Sequence, residues 1–146
     1  MNDKSKLSEP KIIELPKFLD VRGNLSFFEN RTHIPFDIKR TYWIYDVPGG
    51  EERGGHAFKQ TEEFIVALSG SFDVVLDDGT DSKVYTLNRS YLGLYVPKMY
   101  WRAMNNFSSN SLALVAASTE FSAEDYMYDR KEFAAKVKSA RKAGVR

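Results

Sequence analysis

The chain holds two histidines, and one of them stands among residues that could do chemistry. His56 lies in the run Gly50-Glu51-Glu52-Arg53-Gly54-Gly55-His56-Ala57-Phe58-Lys59-Gln60-Thr61-Glu62-Glu63-Phe64, which closes at Gly70. An imidazole titrates nearer working pH than other side chains, so it is the natural group for taking and returning a proton. Residues two apart in a strand share a face, so His56 and Phe58 look the same way. By the same rule Glu62 and Glu63 face opposite sides, as do Tyr42 and Trp43. Arg22, Arg40 and Arg102 fall in strand-like segments. Arginine grips phosphate through a fork of donors, and Tyr or Trp stacks on rings. One His with several Tyr and Arg suits a polar anionic ligand, and a nucleotide diphosphate carries both features.

These residues need a scaffold, and the rest of the chain describes one. With 146 residues the chain is read as a single domain over 1–146, large enough for a core. Short β-rich runs separated by Gly, Pro, Asn and Asp clusters include Ile12–Leu15, Leu25–Glu29, Lys39–Asp46, Glu63–Leu68, Ser71–Leu76, Lys83–Leu87, Tyr91–Val96 and Ser111–Ala117. Such spacing predicts an all-β sandwich or barrel. Asp78-Gly79 signals a hairpin turn. Residues 1–10 read as a loose arm. From Ser122 to about Ala143 the alanines and late basic residues predict a C-terminal helix, with Ser122 as N-cap and Glu124 and Asp125 in the first turn. Its basic end reads as a solvated face.

Composition narrows the function. A net charge of +1 makes no case for nucleic acid or an anionic membrane surface. The chain has no Cys, which excludes disulfides and thiol catalysis. No apolar run approaches the ~20 residues of a membrane span, and Met1–Pro10 lacks the apolar core of a signal peptide. The expected location is cytoplasmic.

The Gly50–Gly70 run resembles the first motif of the cupins, and Pro97-Lys98-Met99-Tyr100-Trp101-Arg102-Ala103-Met104-Asn105-Asn106 resembles the second. The resemblance implies a cupin (jelly-roll) barrel with the C-terminal helix outside it. The usual four metal positions then hold His56, Phe58, Glu63 and Arg102. Phe58 has no lone pair, and Arg102 is a permanent cation. Two ligands hold a transition metal poorly, so neither a metal nor another cofactor is expected.

A narrower resemblance covers about Ile12 to Phe133. Arg22-Gly23-Asn24-Leu25, Pro35-Phe36-Asp37-Ile38-Lys39-Arg40, Tyr42-Trp43-Ile44-Tyr45, Arg53-Gly54-Gly55-His56-Ala57, Leu68-Ser69-Gly70-Ser71, Leu76-Asp77-Asp78-Gly79, Gly93-Leu94-Tyr95-Val96-Pro97 and Trp101 recur in one order. Together, and with the ending through Asp125-Tyr126 and Asp129–Phe133, they resemble the sugar 3,4-ketoisomerases. That resemblance implies action on dTDP-4-keto-6-deoxyglucose, with the keto group moved from C4 to C3 through an enediol. It also implies a homodimer exchanging an N-terminal strand, and a product destined for amino sugars of surface polysaccharides. The implied catalytic residues are His56 and Tyr42. The implied substrate-binding residues are Arg22, Arg40, Phe58, Glu63, Tyr95, Trp101 and Arg102, around a dTDP-linked sugar.

The family carries a His-x-His pair, and this chain has His56 and then Phe58. Three readings stay open. His56 alone carries both transfers; Tyr42, Tyr95 or Glu63 takes one of them; or the pocket binds a nucleotide sugar without converting it. Beside these stand plainer roles. His33 reads as exposed in a loop, Glu62 as solvated or at an edge, Phe58, Tyr95 and Trp101 as core, and Arg22 and Arg40 as surface ion pairs.

Overall fold

A computed structural model describes residues 9–143. The arm expected at residues 1–10 therefore lies, but for its last two residues, outside the described residues. Twelve strands and a helix follow in order among the described residues: β1 (Lys11–Glu14), β2 (Lys17–Phe18), β3 (Leu25–Ser26), β4 (Arg40–Tyr45), β5 (Arg53–Phe58), β6 (Glu63–Ser69), β7 (Phe72–Asp77), β8 (Ser82–Leu87), β9 (Leu92–Val96), β10 (Trp101–Asn105), β11 (Leu112–Ala117), β12 (Tyr126–Met127) and α1 (Arg130–Lys142). Two five-stranded sheets, β1-β9-β6-β11-β4 and β12-β5-β10-β7-β8, pack face to face, and β2 and β3 form a separate hairpin. All the pairings between strands are antiparallel. This is the all-β, cupin-like architecture that the sequence pattern predicts, with one C-terminal helix.

Alternation decides which side chains meet. In β7 buried and half-buried residues alternate strictly. Ile65, Ala67, Leu94, Val96 and Val115 of one sheet meet Phe72, Val74, Leu76 and Met104 of the other in the central core. The residues between them face outward. Phe64, Val66 and Tyr95 bury instead under Leu15, Ile34 and Phe36 on the outside of the first sheet. On the outside of the second sheet, Ala57, Trp101 and Met127 pack under Phe133 and Val137 of α1.

The turn at Asp77-Asp78-Gly79 joins β7 to β8, with Gly79 at φ +97. The Asp77 carboxylate accepts from Gly79 N at 2.7 Å, and Asp78 accepts from Thr80 N at 2.7 Å. Met99, before β10, holds a left-handed backbone, φ +66, that glycine adopts more cheaply.

The C-terminal segment departs from the expectation. Ser122 caps only a short 3-10 turn, Ala123–Asp125, and makes no side-chain cap bond. The helix begins after Asp129, whose side chain accepts from Lys131 N at 2.8 Å. Between them Tyr126 and Met127 pair with Phe58 and Ala57. Two aromatics flanking a Met suit an extended edge strand better than a first helical turn.

Candidate active site

The inward positions of five strands converge at one mouth of the sandwich. Arg40 and Tyr42 come from β4, Gly54 and His56 from β5, Glu63 from β6, Arg102 from β10 and Tyr126 from β12. A cavity of about 280 Å³ is lined by Arg40, Tyr42, Arg53, Gly54, His56, Arg102, Phe121 and Tyr126, with Trp43 and Ile44 at its side. His56 and Arg102 are direct cross-strand partners, so their side chains share this face.

Arg102 is the anchor. Its side chain is 2% exposed, as Glu63's is 1%. Nε donates to Glu63 Oε1 at 2.5 Å, and Nη2 donates to the Tyr42 hydroxyl at 2.5 Å. The Tyr42 hydroxyl in turn donates to Glu63 Oε2 through a short hydrogen bond. Burial works against the Arg102 charge, but Glu63 and Tyr42 together outweigh it and lift the guanidinium further above its usual range. Burial, with Glu63 beside it, raises the Tyr42 phenol well above the ordinary value. Gly54 makes room for this arrangement: a Cβ there would stand 2.5 Å from Arg102 Nη1, and φ is +77.

Around that closed triad lie groups with open valences. Among the described residues three buried side-chain atoms lack a hydrogen-bond partner: Arg40 Nε, Arg40 Nη2 and His56 Nε2. Both residues line the cavity. Buried donors and acceptors are ordinarily paired, so three orphans at one cavity mark a place where a ligand completes the bonding. The Arg40 guanidinium lies 5.7 Å from the Tyr42 ring and 5.6 Å from the Phe121 ring. His56 is enclosed by rings, with centroids 4.8 Å from Phe58 and 4.9 Å from Tyr126. Burial, then the charges of Arg102 and Arg40, push the His56 imidazole down to about 3. At neutral pH it is an unprotonated base.

Of the residues expected at the site, the cavity brings together His56, Tyr42, Arg40 and Arg102. Glu63 supports them from below, and Phe58 backs the His56 ring. The expectations for Trp101, Tyr95, Glu62 and His33 need correction, and Arg22 lies outside its own chain's cavity. Trp101 precedes Arg102 on one strand, so it faces the other way, under α1, with Arg130 4.9 Å above its ring. Tyr95 sits between inward Leu94 and Val96, so it too faces outward, and its hydroxyl donates to Glu62 in a short bond. Glu62 is accordingly half-buried and bonded rather than solvated. Arg22 is exposed in the turn of the β2–β3 hairpin and pairs with Asp20 at 2.9 Å, away from its own chain's cavity. His33 is half-buried, its Nδ1 accepting from Glu29 N at 2.8 Å.

Sequence reasoning missed Arg53, Phe121 and Tyr126. Arg53 lies three residues before His56, so alternation alone sends it to the opposite face; the register shift between β5 and β10 brings it to the mouth of the cavity. Tyr126 was hidden by the helix expectation, and Phe121 lay just before it with no pattern to point inward. The residues do not fit a metal centre, because Glu63 is already bonded to Arg102 and Tyr42. No group of three His, Cys, Asp or Glu side chains among the described residues is placed to hold an ion. Nor is any helix among them long and apolar enough to cross a membrane.

Comparisons give this geometry its setting. The profile of the family described as FdtA: WxcM-like, C-terminal, matches residues 8–138. A TDP-4-oxo-6-deoxy-alpha-D-glucose-3,4-oxoisomerase of Aneurinibacillus thermoaerophilus is 42% identical over 132 residues, covering 88% of this chain and 95% of that protein. The crystal structure of a 3,4-ketoisomerase from Helicobacter canadensis superposes with a TM-score of 0.86 at 40% identity, covering 89% and 98% of the two chains. A sugar 3,4-ketoisomerase from Thermoanaerobacterium thermosaccharolyticum, solved in complex with TDP, gives 0.87 at 31% identity, covering 89% and 95%. The chain therefore belongs to the FdtA/WxcM-like family of cupin-fold sugar 3,4-ketoisomerases.

Proposed function

We propose that this chain converts dTDP-4-keto-6-deoxyglucose to its 3-keto isomer, with His56 as the group that moves the proton between carbons. The observation that carries the reading is the unpartnered His56 Nε2 beside the unpartnered Arg40 donors at one cavity. A proton next to a ketone is acidic because the carbanion spreads onto the carbonyl oxygen. A neutral imidazole in a dry pocket can take it, and a fixed cation stabilises the enediolate oxygen. Arg40 is the cation with donors to spare; Arg102 adds its charge while its own donors serve Glu63 and Tyr42.

The field of Arg40 and Arg102 makes His56 a weak base in the free protein. A ligand diphosphate would offset that field and raise the imidazole toward the range where proton transfer is efficient. Substrate binding would thus tune its own catalyst.

A homodimer belongs to the same reading. The β2–β3 hairpin shows solvent Phe18 at 61% exposure and Leu25 at 58%, with Val21 fully exposed between them. A second copy would cover this apolar surface and would bring Arg22 toward the partner's cavity. The product's role in deoxyamino sugar and polysaccharide synthesis, and a cytoplasmic setting, accompany the activity.

Phe58 favours a second reading, a pocket that binds the nucleotide sugar without converting it. Its side chain is buried against the His56 ring where the family's second histidine stands. Incubation with dTDP-4-keto-6-deoxyglucose in D2O, followed by proton NMR, separates the two. An isomerase yields a 3-keto product carrying deuterium at C4. Unchanged sugar signals with saturable TDP binding would leave the binder, and Phe58→His would then be the variant to gain turnover.

A further inference from the structure

The 3,4-isomerisation moves two protons, one between carbons and one between oxygens. His56 accounts for the first. The groups that could carry the second are few. Phe58 has no lone pair. Glu63 is held by Arg102 Nε and the Tyr42 hydroxyl, and that hydroxyl is held between Glu63 and Arg102 Nη2. Tyr95 lies on the far side of its sheet, bonded to Glu62.

Tyr126 remains. It pairs with Phe58 across the β12–β5 ladder, so its ring falls on the His56 face, while Met127 beside it turns under α1. It lines the cavity, 4.9 Å from the His56 ring, and stacks on Tyr128 at 5.6 Å and 12°. No hydrogen bond occupies its hydroxyl among the described residues. The strand that carries it is clasped in place. The Asp125 carboxylate accepts from Gln60 N at 2.7 Å and from the Thr61 hydroxyl, and Lys59 N donates to the Asp125 carbonyl at 3.0 Å. Burial raises the phenol above its usual value, more than the charge of Arg40 lowers it, which keeps it a neutral donor at working pH.

We propose that the Tyr126 hydroxyl is a second catalytic acid-base group, carrying the proton between the two sugar oxygens while His56 carries the other between the two carbons. The proposal rests on the isomerase reading. His56 takes the proton from C3, the C3–H pair becomes the C3–C4 double bond, and the C4 carbonyl π pair moves to O4, which takes the phenol proton. The phenolate then takes the proton from O3. The O3–H pair forms the C3 carbonyl, and the double-bond pair takes the His56 proton at C4. Both groups return to their starting states, and no oxidant or reductant is consumed.

The test is Tyr126→Phe, which keeps the ring and its stack, alongside wild type and a variant with 3-fluorotyrosine at position 126. The expected result is a fall in kcat of about 100-fold or more, in the range of a lost general acid, with KM and TDP affinity little changed. The fluorinated phenol, a stronger acid, should move the alkaline limb of kcat to lower pH. Tyr126→Phe turning over within about 5-fold of an active wild type would overturn the proposal and leave the isomerase standing. Loss of kcat together with TDP affinity would also overturn it, by showing a structural role. If Tyr126→Phe does not fold, the fluorotyrosine profile decides alone, and an unmoved limb refutes the role. A wild type that neither exchanges C3 hydrogen nor forms product would remove the isomerase reading and this one with it.

Discussion

Glu62 and Glu63 are consecutive where β6 begins, and each bonds a tyrosine. The outer pair, Glu62 with Tyr95, lies under Phe36 and beside Phe64 on the covered face of the sheet. The inner pair, Glu63 with Tyr42, lies at the cavity. The residue types are the same. The difference is the cation: Arg102 joins the inner pair, Arg40 stands above it with donors unspent, and His56 faces both. A tyrosine–glutamate bond by itself closes a surface. The same bond beside a buried guanidinium becomes the floor of a site, because it fixes a positive field and leaves other atoms to be satisfied by a ligand.

That contrast can be broken from either side. Glu63→Gln should cost about 3–5 kcal/mol of stability, since it strands a buried guanidinium, whereas Glu62→Gln should cost about 1 kcal/mol; urea unfolding of the two variants measures the gap. Equal losses would mean that the inner pair is no more charged in effect than the outer. Gly54→Ala should come next, by driving a methyl into Arg102 Nη1 in a backbone conformation that alanine resists. We expect about 1–3 kcal/mol of destabilisation together with lost TDP affinity; retained affinity would show that Arg102 tolerates displacement. Tyr42→Phe should cost about 1–3 kcal/mol and reduce turnover, because Arg102 Nη2 loses its acceptor. Tyr95→Phe should cost about 1 kcal/mol and leave kcat within a few-fold.

The smallest effect is one of pH. His56 titrates lower in the folded chain than the ordinary histidine value of about 6.5. Between about pH 6.5 and 3 the unfolded chain binds a proton that the folded chain refuses. Stability from this group is therefore complete above 6.5 and is lost as pH falls toward 3. His56→Asn should flatten part of the decline in melting temperature between about pH 7 and 4.5. The free-enzyme profile of kcat/KM should show no histidine limb between about pH 5 and 7.

Much of this was legible in the residues. Alternation of turn signals and apolar runs gave the sandwich, because period two and hairpin chemistry are local. The motif spacing put His56, Glu63 and Arg102 together. What failed was facing. Trp101 and Arg102 were both assigned to the ligand, although consecutive strand residues cannot share a face; the same rule, applied to Tyr95 from its buried neighbours, would have sent it outward. Tyr126 was concealed by Ser122, Glu124 and Asp125, whose capping and charge signals mark only a 3-10 turn ahead of the helix. Phe58 was read as shaping the pocket, and the structure places it behind His56, where it holds the ring rather than lining the cavity. The hydrogen bonds that join Arg102, Glu63 and Tyr42 could not be read from spacing, since they depend on β10 of one sheet facing β6 and β4 of the other.

The central claim is that His56, with its free Nε2 in the cavity, moves the substrate proton. Its most direct test compares wild type and His56→Asn for exchange of the C3 hydrogen of dTDP-4-keto-6-deoxyglucose in D2O, with TDP affinity measured on both. The account predicts exchange in the wild type, a loss of at least about 1,000-fold in the variant, and TDP affinity within a few-fold. Exchange that survives in His56→Asn would contradict it and place the base on another side chain.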